Sequence, residues 1–115
     1  MTRRTRSSAS ARLEEYAPVF AALGDHTRLS LVSRLVHGHP QSISQLTEGS
    51  TLTRQAITKH LRVLEGAGVV RSIRSGRESL FRFDPKAIEG VREYLARVSE
   101  QWDQALLRLK SFVED

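Results

Sequence analysis

The sequence predicts a mainly α-helical domain that contains one β-hairpin. Apolar residues recur at the spacing of an α-helix in several stretches after residue 12, as at Ile57, Leu61 and Leu64. Between residues 69 and 83 the pattern changes to two short segments rich in β-branched and aromatic residues. A chain of 115 residues can form one core and, in addition, a dimer interface. We therefore expect one domain of about five helices and one hairpin.

Residues 1–12 differ in composition from the rest of the chain. They consist mostly of Arg, Ser, Thr and Ala, with four arginines and no acidic residue. Because such a segment has little apolar surface to bury, we predict a disordered basic arm. The arm either contacts the phosphates of a polyanion or only increases solubility. The folded domain is expected over residues 13–115.

Two helices are predicted at the start of this domain. Apolar residues at helical spacing begin at Leu13, and Pro18 within the pattern allows either one bent helix or two short ones. Asp25 has the short acceptor side chain of an N-cap, and it precedes a second helix that extends to about His37.

A short helix, a turn and a longer helix follow. Ser42 or Ser44 can cap the short helix, and residues 49–51 predict a tight turn. Thr53 is an N-cap for the longer helix. Two helices joined by a short turn that contains glycine form the helix-turn-helix pattern.

The helix after Thr53 has one apolar side and one side rich in hydrogen-bond donors. We expect it to end at Gly66 and Gly68, because glycine adopts the left-handed conformation of a C-terminal cap at little cost. The donor side carries Arg54, Gln55, Thr58, Lys59 and Arg62. Such a helix suits the major groove of DNA, although an ordinary solvated helix face has a similar composition.

Positive charge is concentrated in one window besides the N-terminal arm. Of the net charge of +5, residues 50–82 contribute seven basic and two acidic side chains, and the segments on either side, 13–49 and 83–115, are each net negative. A localised basic patch indicates a polyanionic partner. Within this window, Arg74 and Arg77 lie at the tip of the predicted hairpin. A basic hairpin beside a helix-turn-helix is a wing, whose tip can reach phosphates or the minor groove.

Composition excludes several other classes. There is no cysteine, so disulfides, thiolate metal sites and thiol redox sensing are excluded. No apolar run approaches the roughly 20 residues of a membrane span, and the N-terminus lacks the apolar core of a signal peptide. We expect a cytoplasmic protein with no membrane partner. No paired carboxylates, Ser/His/Asp set or phosphate-binding loop is evident, so neither enzymatic activity nor a cofactor is expected.

The last helix is predicted over residues 84–113, with Asp84 as its cap and Pro85 in its first turn. It carries an unbroken apolar heptad series: Ile88, Val91, Leu95, Val98, Trp102, Ala105, Leu109 and Phe112. A domain this small cannot cover such a long stripe, so we predict a two-fold homodimer. The candidate dimer contacts are Val91, Leu95, Val98, Trp102 and Leu109. Packing against the first helix of the same chain is the alternative.

Four segments, residues 22–29, 43–46, 56–70 and 76–83, resemble the ArsR-type winged helix-turn-helix transcriptional repressors. The most specific part is Lys59-His-Leu followed by Ala67-Gly-Val and then the Gly-Arg of the wing at residues 76 and 77. The resemblance covers about residues 17–113. It implies a fold that is helical apart from the wing, dimerisation through the first and last helices, and repression until a ligand releases the DNA.

The resemblance also assigns roles to residues of the helix after Thr53, which corresponds to the family's recognition helix, and to residues of the wing. The expected base-reading residues are Arg54, Gln55 and Thr58. The expected DNA-backbone contacts are Thr53, Lys59, Arg62, Arg74 and Arg77. His60 is expected either to pack against the domain or to donate to a phosphate.

The chain departs from the metal-sensing members of that family. Residues 46–48, where many members carry a cysteine pair, are Leu-Thr-Glu here, and no histidine follows His60. His37 and His39 are the remaining candidates for an ion, but two histidines without a third ligand are a weak signal, so no metal site is expected. The alternatives are a metal-responsive repressor with a non-standard histidine site and a winged-helix module that binds proteins. The sequence leaves open whether the effector is a small molecule or a protein, or whether regulation needs no effector.

Overall fold

The computed structural model describes residues 8–114. Within that range the chain has five α-helices and a three-stranded antiparallel sheet. The elements in chain order are α1 (Ser8–Leu23), α2 (His26–Val36), β1 (Gln41–Ser42), α3 (Ile43–Thr47), α4 (Arg54–Gly66), β2 (Val70–Ser75), β3 (Glu78–Phe83) and α5 (Pro85–Glu114). The predicted fold class, mainly α with one wing, is confirmed.

Short polar side chains begin the helices around the helix-turn-helix. The carboxylate of Asp25 accepts the first-turn amide of α2 at 3.0 Å. Of the two serines considered for α3, Ser42 is the cap, and Gln45 completes a capping box with hydrogen bonds of 3.1 and 2.8 Å. Thr53 accepts the amide of Ala56 at 3.1 Å. These caps fix where each helix begins and therefore how α3 leads into α4.

The end of α4 differs in one residue from the prediction. Gly66 is still helical, whereas Gly68 has φ of 80° and reverses the chain into β2. A side chain at Gly68 would strain this left-handed conformation, because a Cβ atom would approach the following carbonyl. One of the two glycines is therefore the terminator.

The wing is a regular hairpin, and a third strand extends its sheet. Strands β2 and β3 pair from Val70 opposite Phe83 to Ser75 opposite Glu78. Strand β1 pairs with the other edge of β3, with Gln41 opposite Phe81. Strand β1 is absent from the sequence-based prediction, because two residues show no periodicity. This short strand joins the start of α3 to the wing.

The core lies between the back of α4 and the base of the wing. Its fully buried side chains are Leu46, Ile57, Leu61, Leu64, Val69, Val70 and Phe81. Burying one such side chain contributes about 1.5–3 kcal/mol, so these contacts hold α4 firmly against β2 and β3. The predicted apolar stripe of α4, at Ile57, Leu61 and Leu64, is confirmed as its buried side.

Helices α1 and α5 pack against each other through aromatic rings. The ring of Tyr94 lies 5.8 Å from that of Tyr16 and 6.2 Å from that of Phe20, centroid to centroid. Gly90 makes room for this contact, because a Cβ atom there would lie 2.7 Å from the Tyr16 ring. α1 is a single helix with Pro18 inside it.

The start of α1 bears on the predicted N-terminal arm. The helix begins at Ser8, so residues 8–12, which were assigned to a disordered arm, are helical. The remainder of the predicted arm, residues 1–7, lies outside the described residues.

Candidate nucleic-acid interface

Helix α4 presents its donor-rich side to solvent because its other side is buried. Arg54, Gln55 and Lys59 are exposed, and Thr58 is half-buried. Neither Gln55 nor Lys59 makes a side-chain hydrogen bond with any other residue of the range 8–114. Their donors and acceptors are therefore available to a partner. Both side chains match groups on DNA: Gln55 suits the major-groove edge of adenine, and Lys59 suits a backbone phosphate.

Two of the predicted base readers already have partners. The guanidinium of Arg54 donates to the hydroxyl of Ser44 in α3. The hydroxyl of Thr58 donates to the carbonyl of Arg54 at 2.7 Å, one turn back along the helix. Thr58 keeps its oxygen as an acceptor and its methyl group as an apolar contact. Of the three predicted base readers, only Gln55 therefore has no side-chain hydrogen bond within residues 8–114.

Arg62 is tied to the base of the wing. Its guanidinium donates to Glu65 at 2.8 Å and lies 5.8 Å from the ring centroid of Phe81. Glu65 also accepts from the hydroxyl of Ser72 in β2 at 2.8 Å. The Ser72 hydrogen bond, followed by that from Arg62, lowers the pKa of Glu65 from its ordinary value. This network joins the end of α4 to the wing, so Arg62, which the sequence predicts as a DNA contact, also has a structural partner.

His60 points toward α2. Its Nδ1 lies 3.2 Å from a guanidinium nitrogen of Arg28 and 3.9 Å from the Asp25 carboxylate. Arg28 in turn donates through Nε to the carbonyl of Ala22, near the end of α1, at 2.6 Å. The hydrogen bond from the Arg28 amide is the main cause that lowers the pKa of Asp25. His60 therefore packs within the domain, and this polar contact was not foreseen.

The tip and the base of the wing differ in their pairing. Arg74 and Arg77, near the tip, are exposed and form no ion pair within the described part of the chain. At the base, Arg71 donates to Asp84 at 2.6 Å, and Asp84 also accepts the amide of Lys86 at 3.1 Å. The Lys86 amide, followed by Arg71, lowers the pKa of Asp84. Within the described residues, the wing therefore carries unpaired positive charge near its tip, at Arg74 and Arg77, and also at Arg82 in β3.

Other kinds of site find little support in the described residues. In residues 8–114 no three His, Asp or Glu side chains are placed to hold a metal ion, so His37 and His39 have no third ligand nearby. The same residues include no helix that is both long and apolar enough to cross a membrane.

The geometry defines a class of protein. A short capped helix and a turn position an exposed, donor-rich helix, and a hairpin with unpaired arginines lies beside it. This is the arrangement of a winged helix-turn-helix protein that binds DNA.

Comparison with known proteins gives the family. The family model of a helix-turn-helix domain matches residues 23–73. The HTH-type transcriptional regulator Rv2034 of Mycobacterium tuberculosis is 34% identical over 85 residues, which are 74% of this chain and 76% of the relative. The solved structure of an ArsR-like transcriptional regulator from Rhodococcus sp. RHA1 is 36% identical, with a TM-score of 0.76, over 86% of this chain and 92% of that one. The transcriptional repressor BigR from Xylella fastidiosa is 28% identical, with a TM-score of 0.60, over 81% and 92% of the two chains.

The chain belongs to the ArsR family of helix-turn-helix transcriptional regulators. It is a DNA-binding regulator of transcription and not an enzyme. The family resemblance and the regulatory function inferred from the sequence are both confirmed.

Proposed function

We propose that this regulator is a repressor that binds an inverted-repeat operator as a homodimer. The observation that carries the proposal is the exposed side of α4, where Gln55 and Lys59 have no partner within residues 8–114. Donor-rich side chains held rigidly on a helix are suited to base edges in the major groove. The unpaired arginines near the wing tip, Arg74 and Arg77, would add contacts to the phosphates on the flank.

The surface of α5 supports a homodimer. Thirty residues of helix span about 45 Å, but the ring contacts with α1 reach only as far as Tyr94. Beyond it large apolar side chains are exposed, from 47% at Leu95 to 81% at Phe112. An apolar stripe of this size is typical of an interface, and a second α5 offers a matching stripe.

The predicted dimer contacts are not equivalent. Val91 is only 6% exposed and belongs to the core of its own chain, so it is not available to a partner. Its heptad position faces inward because the first part of α5 packs on the domain. Leu95, Trp102 and Leu109 remain exposed and are the proposed contacts, with Val98 half-buried between them.

The proposed contacts with DNA follow the freedom of each side chain. Gln55 would read an adenine, and Thr58 would contribute an acceptor or a methyl contact. Lys59, Arg74 and Arg77 would bind phosphates, and Thr53, at the N-terminus of α4, would lie close to the backbone. A contact by Arg62 would have to compete with Glu65, so its contribution is expected to be small.

Repression is supported by the family and by the Xylella fastidiosa relative, which is described as a transcriptional repressor. A dimer seated on an operator would exclude the transcription machinery from the same DNA. We propose a cytoplasmic location, where such DNA is accessible. No observation favours the protein-binding module, because a protein partner would not require the unpaired arginines near the wing tip.

Selection of duplexes from a random library, followed by footprinting, tests this function. We expect an inverted repeat whose half-sites lie about one helical turn, or a multiple of it, apart. Transcription in vitro from a promoter that contains this repeat should fall when the protein is added. Equal affinity for the selected and the scrambled duplex would refute operator binding. An increase in transcription would refute repression.

A further inference from the structure

The structure contains a concavity between the start of α3, the start of α4 and the wing tip. Its volume is about 200 Å³, and its lining includes Ser44, Arg54, Arg77 and Glu78. Arg54 was expected to read a base, yet it lines this concavity together with an arginine of the wing. We infer that Ser44, Arg54 and Arg77 together bind one backbone phosphate of the DNA, an inference that rests on the proposed operator binding.

The direction of Arg54 on the helix favours this role over base reading. At about 100° per residue, Arg54 projects about 100° away from Gln55 and only about 20° away from Leu61. Leu61 is fully buried, whereas Gln55 is exposed. Arg54 therefore leaves α4 at the border of its buried side. Its guanidinium reaches the hydroxyl of Ser44 in the preceding helix.

The hydrogen-bonding capacity left at this site suits a phosphate. A guanidinium has five N–H donors, and Arg54 uses one of them on Ser44. Ser44 accepts that bond, so its own hydroxyl proton remains free to be donated. Arg77 adds a second guanidinium without a partner in the described residues. Several donors that line one concavity match the oxygen atoms of a phosphate.

The charge of the site leads to the same ligand. Two arginines face one acid, Glu78, and no ion pair joins Glu78 to either of them in the range 8–114. The site keeps a net positive charge, and its volume of about 200 Å³ suits a small anion. A phosphodiester carries one negative charge per nucleotide and lies beside any helix that occupies the groove.

The first test is Arg54→Gln in the full-length protein, measured on the selected duplex and on a scrambled one. We expect affinity for both duplexes to fall by a similar factor of about 3 to 10, with the order of base preferences unchanged. The slope of log affinity against log salt should fall by about 2 for the dimer, which is one contact per protomer. Loss of preference at one base pair with an unchanged slope would overturn the inference.

Ser44→Ala and Arg82→Gln are the matched variants. Ser44, on α3, would donate its hydroxyl proton to the same phosphate, so Ser44→Ala should lower the affinity for both duplexes. The double variant Ser44→Ala with Arg54→Gln should lose less affinity than the two separate losses combined. Arg82 lies on the face of β3 opposite that of Phe81, so removal of its charge should change affinity less than about two-fold. Additive effects of Ser44 and Arg54 would show that they do not share a ligand. Thermal melting checks that each variant is folded.

Neutral methylphosphonate linkages placed one at a time in the selected duplex locate the phosphate. At one position in each half-site, the wild type should lose affinity and Arg54→Gln should lose none further. The absence of any such position would overturn the inference. If the wild type selects no sequence at all, the proposed operator binding fails, but the salt slopes on random duplex still test the phosphate site.

Discussion

The recognition surface, which comprises the exposed side of α4 and the wing tip, and the C-terminal helix α5 both expose groups that have no partner, but the groups are of opposite kinds. Around α4 and the wing tip the unpaired groups are hydrogen-bond donors and positive charges, as at Lys59 and Arg77. Along the second half of α5 the exposed groups are apolar, as at Trp102 and Phe112. A positively charged surface binds a polyanion, whereas an exposed apolar surface packs against another apolar surface. The two surfaces should therefore respond differently to the same change of solvent or sequence.

Salt should separate the two surfaces most strongly. With phosphate contacts from Lys59, Arg74 and Arg77 in each protomer, DNA affinity should fall by roughly 10³-fold between 50 and 200 mM salt. The dimer dissociation constant, measured without DNA by sedimentation equilibrium, should change less than about three-fold, because apolar contacts are not screened. A dimer that dissociates as steeply as the DNA complex would show that α5 associates through charges.

A single acidic residue in the apolar stripe should break the dimer. Leu109→Glu places a charge where the partner helix would bury it, so the dimer dissociation constant should rise by at least about 100-fold. DNA affinity should fall with it, because two half-sites would no longer be bound together. Ser111→Glu adds the same charge off the stripe and should leave the dimer intact. Equal behaviour of the two variants in light scattering would argue against the proposed interface.

Within the recognition surface, base reading and phosphate binding should separate. Gln55→Ala should reduce the preference for one base pair by about 10-fold, since a bidentate contact discriminates by about 1–3 kcal/mol. Lys59→Ala should weaken all duplexes alike and reduce the salt slope. Affinities for a set of single-base operator variants measure both effects. If Gln55→Ala weakens every duplex equally, Gln55 does not read a base.

The smallest effect is expected at Asp84, where the wing meets α5. Its pKa is lowered in the folded state by the Lys86 amide and by Arg71, so it stabilises the fold above its ordinary pKa of about 3.9. That contribution should be lost as the pH falls through the lower folded value. Asp84→Asn should lower the Tm by a few degrees at pH 7 and make the decline between about pH 5 and 2 shallower.

Calorimetry across this pH range checks the Asp84 prediction. Asp103→Asn is the control, because that carboxylate lies exposed on α5 and has no hydrogen bond within residues 8–114. An identical Tm profile for Asp84→Asn and the wild type would show that the contact with Arg71 does not stabilise the junction.

Periodicity and capping residues were sufficient to predict most of the fold. The caps at Asp25 and Thr53 and the buried stripe of α4 depend on local sequence, and they are present in the structure. The strand β1 was missed because two residues have no pattern of their own. Heptad spacing placed Val91 in the apolar stripe of α5 and so predicted a dimer contact. Spacing does not reveal whether such a residue packs against its own chain or against a partner.

The candidate site was predictable by region and less so by residue. Composition located the basic window. The structure then shows which of its side chains already have partners within the domain and which are free to bind DNA. Arg62 and His60 have the same kinds of side chain as residues that bind DNA, yet they contact Glu65 and Arg28 respectively. Arg62 and Glu65 are three positions apart on one helix, a spacing at which side chains can pair, so the sequence already contained that contact. His60 and Arg28 are far apart in sequence, and neither helical spacing nor net charge contains the information that they meet.

One residue, Asp84, separates the last strand of the wing from α5. Its carboxylate binds both the second residue of the helix and the base of β2, so this junction has little freedom to bend. In a dimer, the crossing angle of the two α5 helices would then set the distance between the two wings. Operator spacing would be a geometric property of the dimer, and any ligand that changed the crossing angle would release DNA without touching the recognition helix.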